Sequence, residues 1–231
     1  MLNREIDSFL TAQGVNCHGY ANLNAEKGHI DEYYGEVWAK YPRAVSFGVY
    51  YPRQVLEQIN DAPTHTYLYY YQVINTKLDE IALNLTGYLE GLGYLAFPVP
   101  ASQRVGDRLD GIFSHRLAAR LAGLGWIGKS GSLINQQVGP GLRLATVLTD
   151  APLKCGEPIA EGCGACTICT DVCPPGAIKG QNWRKELELK DYLDVYLCDA
   201  HLQEMRQSFG KRICGICIAA CPYGRKNSNK S

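Results

Sequence analysis

The sequence has no long apolar run and no excess of either charge. Apolar stretches are cut by charged residues well short of the roughly 20 that a membrane helix needs. Arg4, Glu5 and Asp7 stand where an export signal would carry a basic start and then an apolar core. The expected location is therefore the cytoplasm, with no membrane partner. Lysine and arginine total 23 and aspartate and glutamate total 23, so no global field draws the chain to nucleic acid or an anionic surface. Cysteine is nearly absent from the first 154 residues, where only Cys17 occurs. That excludes an evenly stapled disulfide scaffold.

The other nine cysteines crowd into residues 155–221. In a cytosolic chain such crowding points to metal. Before it, the pattern is α/β. Residues 3–12 have helical character, 15–23 can be extended, and 44–50 (AVSFGVY) reads as a buried strand. Tyr71, Ile74, Leu78, Ile81, Leu85, Tyr88 and Leu92 recur at steps of three and four, which is one apolar stripe on a helix. Residues 94–97 read as a strand stopped by Pro98, 115–122 as a second helix, and 141–149 as another strand. After Leu153 glycine, proline and cysteine dominate. The expected division is 1–153 as an α/β cofactor-binding domain and 154–231 as a cysteine domain, with a helical insertion near 184–204.

Residues 163–174 read CGACTICTDVCP. Cys163, Cys166, Cys169 and Cys173-Pro174 match the bacterial ferredoxin run C-x2-C-x2-C-x3-C-P. Three thiolates on one short arc reach three irons of a cube, and the fourth points to a second cluster. Zinc sites usually pair hooks far apart in sequence and fit this spacing poorly. The second copy is incomplete: Cys214, Cys217 and Cys221-Pro222 are present, but Lys211 occupies the first position. Two 4Fe–4S clusters need about eight ligands and the two motifs supply seven. Cys17, Cys155 and Cys198 are the candidates for the eighth. Cys198 lies between the motifs and can fold back over the position Lys211 vacates. Exchange between motifs gives the expected sets: Cys163, Cys166, Cys169 and Cys221 for the first cluster; Cys173, Cys198, Cys214 and Cys217 for the second. Cys155 and Cys17 are then free thiols.

AGLGWIGKSGSLI (122–134), the strand ending in Thr149-Asp150 and this cysteine pattern together resemble the epoxyqueuosine reductase family and its shorter relatives, over roughly residues 60–223. The resemblance implies a nitroreductase-like α/β N-terminal domain holding cobalamin, related to reductive dehalogenases, followed by a two-cluster ferredoxin-like domain. It implies that the clusters feed electrons to cobalt, which reduces the epoxide of a modified tRNA base. The family carries a proton-donating aspartate shortly before the glycine–tryptophan motif. Asp110 is one position off an ungapped match, and Asp107 is further away. The helical-repeat domain with which the full-length family grips tRNA has no counterpart here, so tRNA is not an expected partner. An external donor such as ferredoxin or flavodoxin is expected, with a small-molecule or modified-base substrate.

Several residues carry two readings. Gly125, Trp126, Gly128, Lys129 and Ser130 either face a cofactor or cluster, or form a tight helix-to-strand turn. The bare glycine pattern follows a helix and is no dinucleotide fingerprint. Ser114 can cap the helix that His115 opens. His115 and Asp110 are the candidate proton donors. The tyrosines of residues 66–72 either line a pocket or pack a helix on a sheet. Arg206, Lys211, Arg212, Arg225, Lys226 and Lys230 form an acid-free stretch, which is either a docking patch for RNA or a partner, or compensation for anionic clusters. Lys211 and Arg212 are expected to raise a cluster potential. Three functions stay open: a cobalamin-dependent reductase, a pure electron-transfer protein, and a reductive activator of corrinoid proteins. Flavin remains an alternative cofactor, because the related nitroreductase fold binds one.

Overall fold

The computed structural model describes residues 1–105 and 109–224. It contains both helix and sheet, as the patterning predicts. Packing divides it into two compact units that interleave along the chain. The first comprises 1–49, 74–124 and 143–159, and the second 50–73, 125–142 and 160–231. The last crossing between them falls at 159–160. Two earlier segments, 50–73 and 125–142, also pack with the cysteine region, which composition did not signal.

The first unit is built on a four-stranded sheet. Its strands are β1 (Cys17–Asn22), β2 (Arg43–Tyr50), β3 (Ala96–Val99) and, latest in the chain, β6 (Leu142–Thr149), in the order β1-β2-β6-β3. β1 pairs with β2 and β3 with β6, both antiparallel. Ala44, Val45, Phe47 and Val49 are all buried, so β2 is covered on both faces, as its mainly apolar run predicts, with Ser46 buried among them. Pro98 does not stop β3 but lies inside it, opposite Val147. β3 is an edge strand, where a residue with no N–H is tolerated.

Helices α1 (Leu2–Ala12), α2 (Lys27–Tyr34) and α5 (His115–Leu121) complete the first unit with the later part of α4 (His65–Gly91). Ile74, Leu78, Ile81 and Leu85 of the α4 stripe are buried at 5% exposure or less, while Leu92 is outside the helix and exposed. Each such side chain contributes about 1.5–3 kcal/mol by leaving water. Thr64 Oγ1 accepts from the Tyr67 amide and caps the helix start. The aromatic core sets Trp38 edge-on to Phe97 at 5.3 Å and to Phe113 at 6.0 Å.

The second unit holds α3 (Arg53–Glu57), the beginning of α4, and a two-stranded ribbon of β4 (Trp126–Ile127) and β5 (Leu133–Ile134). The glycine-rich loop is thus the turn of a hairpin. Gly131 has φ +72° and its amide closes onto the Gly128 carbonyl at 2.8 Å. Then come α6 (Ile168–Asp171), α7 (Leu189–Tyr192), α8 (Val195–Phe209) and α9 (Ile216–Ala219). Asp194 caps α8 at its start, and Gly210, at φ +71°, ends it. Among the described residues no helix is long and apolar enough to cross a membrane.

Candidate metal centres

The two cysteine motifs fold alike. In each, one turn of helix carries the middle cysteine: Cys169 on α6 and Cys217 on α9, and these helices pack together. Gly164 (φ +53°), after Cys163, and Gly215 (φ +86°), after Cys214, make left-handed bends at different positions of the two motifs.

The thiols form two groups. Cys221 faces Cys163 and Cys169, although 52 residues or more separate them in sequence. Cys198 faces Cys173 and Cys214. Cys217 is the most enclosed and feels Cys214 and Cys198 before Cys169 and Cys173. Burial, and then neighbouring thiolates, push the Cys198 and Cys221 thiols up to about 11. Cys217, Cys169 and Cys214 move in the same direction, led by burial. A metal cluster offsets that cost, since coordination holds a thiol deprotonated. Among the described residues no three His, Cys, Asp or Glu side chains converge on a single ion. Instead Cys163, Cys166, Cys169, Cys217 and Cys221 line one cavity with Lys129 and Ser130. An all-thiol donor set around a cavity suits an iron–sulfur cube.

Cys155 and Cys17 belong to the first unit. Cys155 points its S–H at the Leu153 carbonyl, at 3.5 Å. Cys17 lies on β1, opposite Gly48.

The glycine–tryptophan loop faces the first thiol group. Trp126 Nε1 donates to Cys163 Sγ at 3.4 Å, and its ring stands edge-on to Tyr223 at 4.9 Å. A Cβ on Gly125 would lie 2.2 Å from the Ile134 carbonyl oxygen. One on Gly128 would lie 2.6 Å from the Ile134 side chain and 3.4 Å from Cys163 Sγ. These glycines let the ribbon close against the cysteine arc. Lys129 is only 5% exposed.

The other expected residues lie in the first unit. Ser114 Oγ accepts from the Leu117 amide at 3.2 Å, as a helix cap, and hydrogen-bonds Tyr34. Burial raises Tyr34 to about 12. Asp110 accepts from Tyr33 Oη at 2.8 Å. His115 is enclosed, with Nε2 2.9 Å from the Pro100 carbonyl and Nδ1 2.9 Å from Thr146 Oγ1. A carbonyl only accepts, so Nε2 carries the proton and Nδ1 accepts from the threonine hydroxyl. Burial lowers this imidazole to about 4. Both nitrogens are engaged, and the ring acts as a strut between β6 and the segment after β3. Asp107, Arg225, Lys226 and Lys230 lie outside the described residues.

Of the tyrosines in 66–72, Tyr67 is buried while Tyr69 is 63% exposed. Sequence reasoning did not single out Tyr67 individually, nor Gly162, Gly215 or Tyr223. Gly162 has no room for a side chain because Trp126 stands 2.8 Å from its would-be Cβ. Tyr223 donates to the Gly162 carbonyl. The signals were thin: one glycine inside C-G-I-C, and an aromatic just after C-P.

Comparison with known proteins agrees with this arrangement. Residues 162–224 match the family described as the 4Fe-4S double cluster binding domain. The chain is homologous to the epoxyqueuosine reductases. It is 38% identical to that of Escherichia coli over 112 residues, which is 48% of this chain and 30% of the relative. It is 30% identical to that of Salmonella typhimurium over 158 residues, 68% of this chain and 38% of the relative. The chain therefore spans only about a third of the length of these relatives. An epoxyqueuosine reductase solved with a tRNA-Tyr stem loop superposes with a TM-score of 0.62 at 21% identity, over 97% of this chain and 65% of that one. A catabolic reductive dehalogenase in complex with 3-bromo-4-hydroxybenzoic acid gives 0.62 at 21% identity, over 82% of this chain and 27% of that one. These likenesses show a shared fold.

Proposed function

We propose that this chain is an oxidoreductase in which two 4Fe–4S clusters pass electrons one at a time to a reducible centre. One observation carries the reading: Cys221 of the second motif joins Cys163 and Cys169 of the first, while Cys173 of the first joins Cys198 and Cys214. The first cluster is held by Cys163, Cys166, Cys169 and Cys221. The second is held by Cys173, Cys198, Cys214 and Cys217. Each motif lends one thiolate to the other's cluster, so cluster binding and folding of this segment are one event. A pair of clusters within one segment suits a relay from an external one-electron donor.

The acceptor suggested by the fold is cobalamin, because one solved neighbour is described as a reductive dehalogenase with B12-dependent chemistry. The side chains expected to hold it do not fit that role. Trp126, Gly128, Lys129 and Ser130 are engaged around the first thiol group, and Ser114 is occupied as a cap. The same observation favours a second reading, in which the chain carries electrons to a partner's cofactor.

The deciding experiment is anaerobic. Iron and sulfide are reconstituted, cobalamin is added, and bound cobalt is measured after separation. About eight irons per chain with stoichiometric cobalt supports the reductase. The same iron with no retained cobalt supports the carrier. Fewer than about eight irons in the wild type overturns the two-cluster reading itself.

A further inference from the structure

We infer that Trp126 and Lys129 hold the first cluster at a higher reduction potential than the second, so that electrons run from the second cluster to the first. The inference rests on the two-cluster reading and assigns a tuning role to residues that touch no substrate.

The surroundings of the two thiol groups differ in their donors and charges. At the first, the Trp126 indole N–H points at Cys163 Sγ at 3.4 Å. The backbone amide of Tyr223 points at the Cys221 sulfur, while that of Gly224 donates to the Cys221 carbonyl at 3.1 Å. Lys129, buried to 5% exposure, lines the cavity that Cys163, Cys166, Cys169 and Cys221 share with Cys217. At the second, the Cys214 sulfur receives the Ile216 amide, and the nearby charge is the carboxylate of Asp199 beside Cys198.

Reduction adds one negative charge to a cluster. Donors to its sulfurs and a nearby cation stabilise that charge, and a nearby carboxylate opposes it. Two countercharges need weighing. Glu161 accepts from the Cys163 amide at 2.6 Å, but it is exposed and water screens it, whereas Lys129 is not screened to the same degree. Arg212 pairs with Asp199 at 3.0 Å, so each offsets much of the other's charge and the pair gives the second cluster no net cation to match Lys129. The balance favours the reduced form of the first cluster. One electron moves from the reduced second cluster to the oxidised first, with no bond made or broken. An external low-potential one-electron donor then re-reduces the second.

The test is an anaerobic redox titration followed by electron paramagnetic resonance, with iron counted in every sample. The proteins are wild type, Lys129→Met, Lys129→Arg, Trp126→Phe and Asp199→Asn. Wild type should show two separated transitions. Lys129→Met and Trp126→Phe should each lower the upper one by about tenfold in its equilibrium, about 59 mV for one electron. Lys129→Arg should restore it, and Asp199→Asn should raise only the lower one. If Lys129→Met takes up no iron, Trp126→Phe, which keeps most of the ring volume, decides. Full iron with an unmoved upper transition in the Trp126 and Lys129 variants, or movement of the lower one instead, overturns the inference. A wild type that never binds two clusters fails the underlying reading, which the iron count reports separately.

Discussion

The ring of Tyr67 lies against Gly215, so that a Cβ on Gly215 would come 2.7 Å from Tyr67 Cε1. Gly215 also has φ +86°, in the left-handed region. The residue therefore cannot gain a side chain without moving the loop that carries Cys214 and Cys217. Gly215→Ala should cost about 1–2 kcal/mol in backbone strain, plus the clash. It should lose iron selectively, falling from about eight toward about four irons per chain. Iron analysis with a thermal melt checks this; full iron at wild-type stability would remove Tyr67–Gly215 from the support of the second cluster.

Cys198 and Cys155 are both half-buried thiols outside the repeated motif, yet only Cys198 faces other cysteines. Cys198→Ser should shed one cluster's worth of iron and keep the other. Cys155→Ser should keep both, since its thiol only points at the Leu153 carbonyl. Iron content and the visible spectrum read both outcomes.

His115 predicts a pH dependence. In the fold its imidazole is lowered from 6.5 to about 4, first by burial. The unfolded chain thus binds a proton that the folded chain does not, between those two values. Stability is present above about pH 6.5, falls as pH drops toward 4, and changes no further below it. From pH 7 to pH 5 wild type should lose about 2 kcal/mol more than His115→Gln. Urea unfolding of the pair at the two pH values measures the difference. A proton donor would behave otherwise, losing turnover in the variant with an unaltered stability profile.

Removing the clusters should unfold the segment they cross-link. In iron-free protein, hydrogen exchange should speed up across 162–224 while the Leu142–Thr149 strand stays protected. Equal protection of both regions would show that the cysteine segment is held by its apolar contacts alone.

The elements with repeated apolar signals were legible in the sequence. Strand β2 and the middle of α4 are the clearest cases, because one buries a continuous run and the other a stripe. The β4–β5 ribbon was not, since its strands are two residues each and periodicity has nothing to count. The cysteine groups were readable from spacing, because ligand reach along a short arc is a local constraint. What faces them is not local. Trp126 precedes Cys163 by 37 residues, and nothing in GLGWIGKSG states which way the indole N–H points. The partners of His115, at Pro100 and Thr146, are likewise tertiary and were not legible.

The meeting of Cys221 with Cys163 and Cys169 also bears on timing. Synthesis delivers three of the ligands proposed for the first cluster early and the fourth 52 residues after Cys169. The second cluster has its full set once Cys217 has emerged, four residues sooner. A nascent chain therefore holds an open three-thiol arc through most of the making of this segment. The proposed pair of clusters is complete only once Cys221 has emerged, and a chain cut just before it would lack one of the eight proposed ligands.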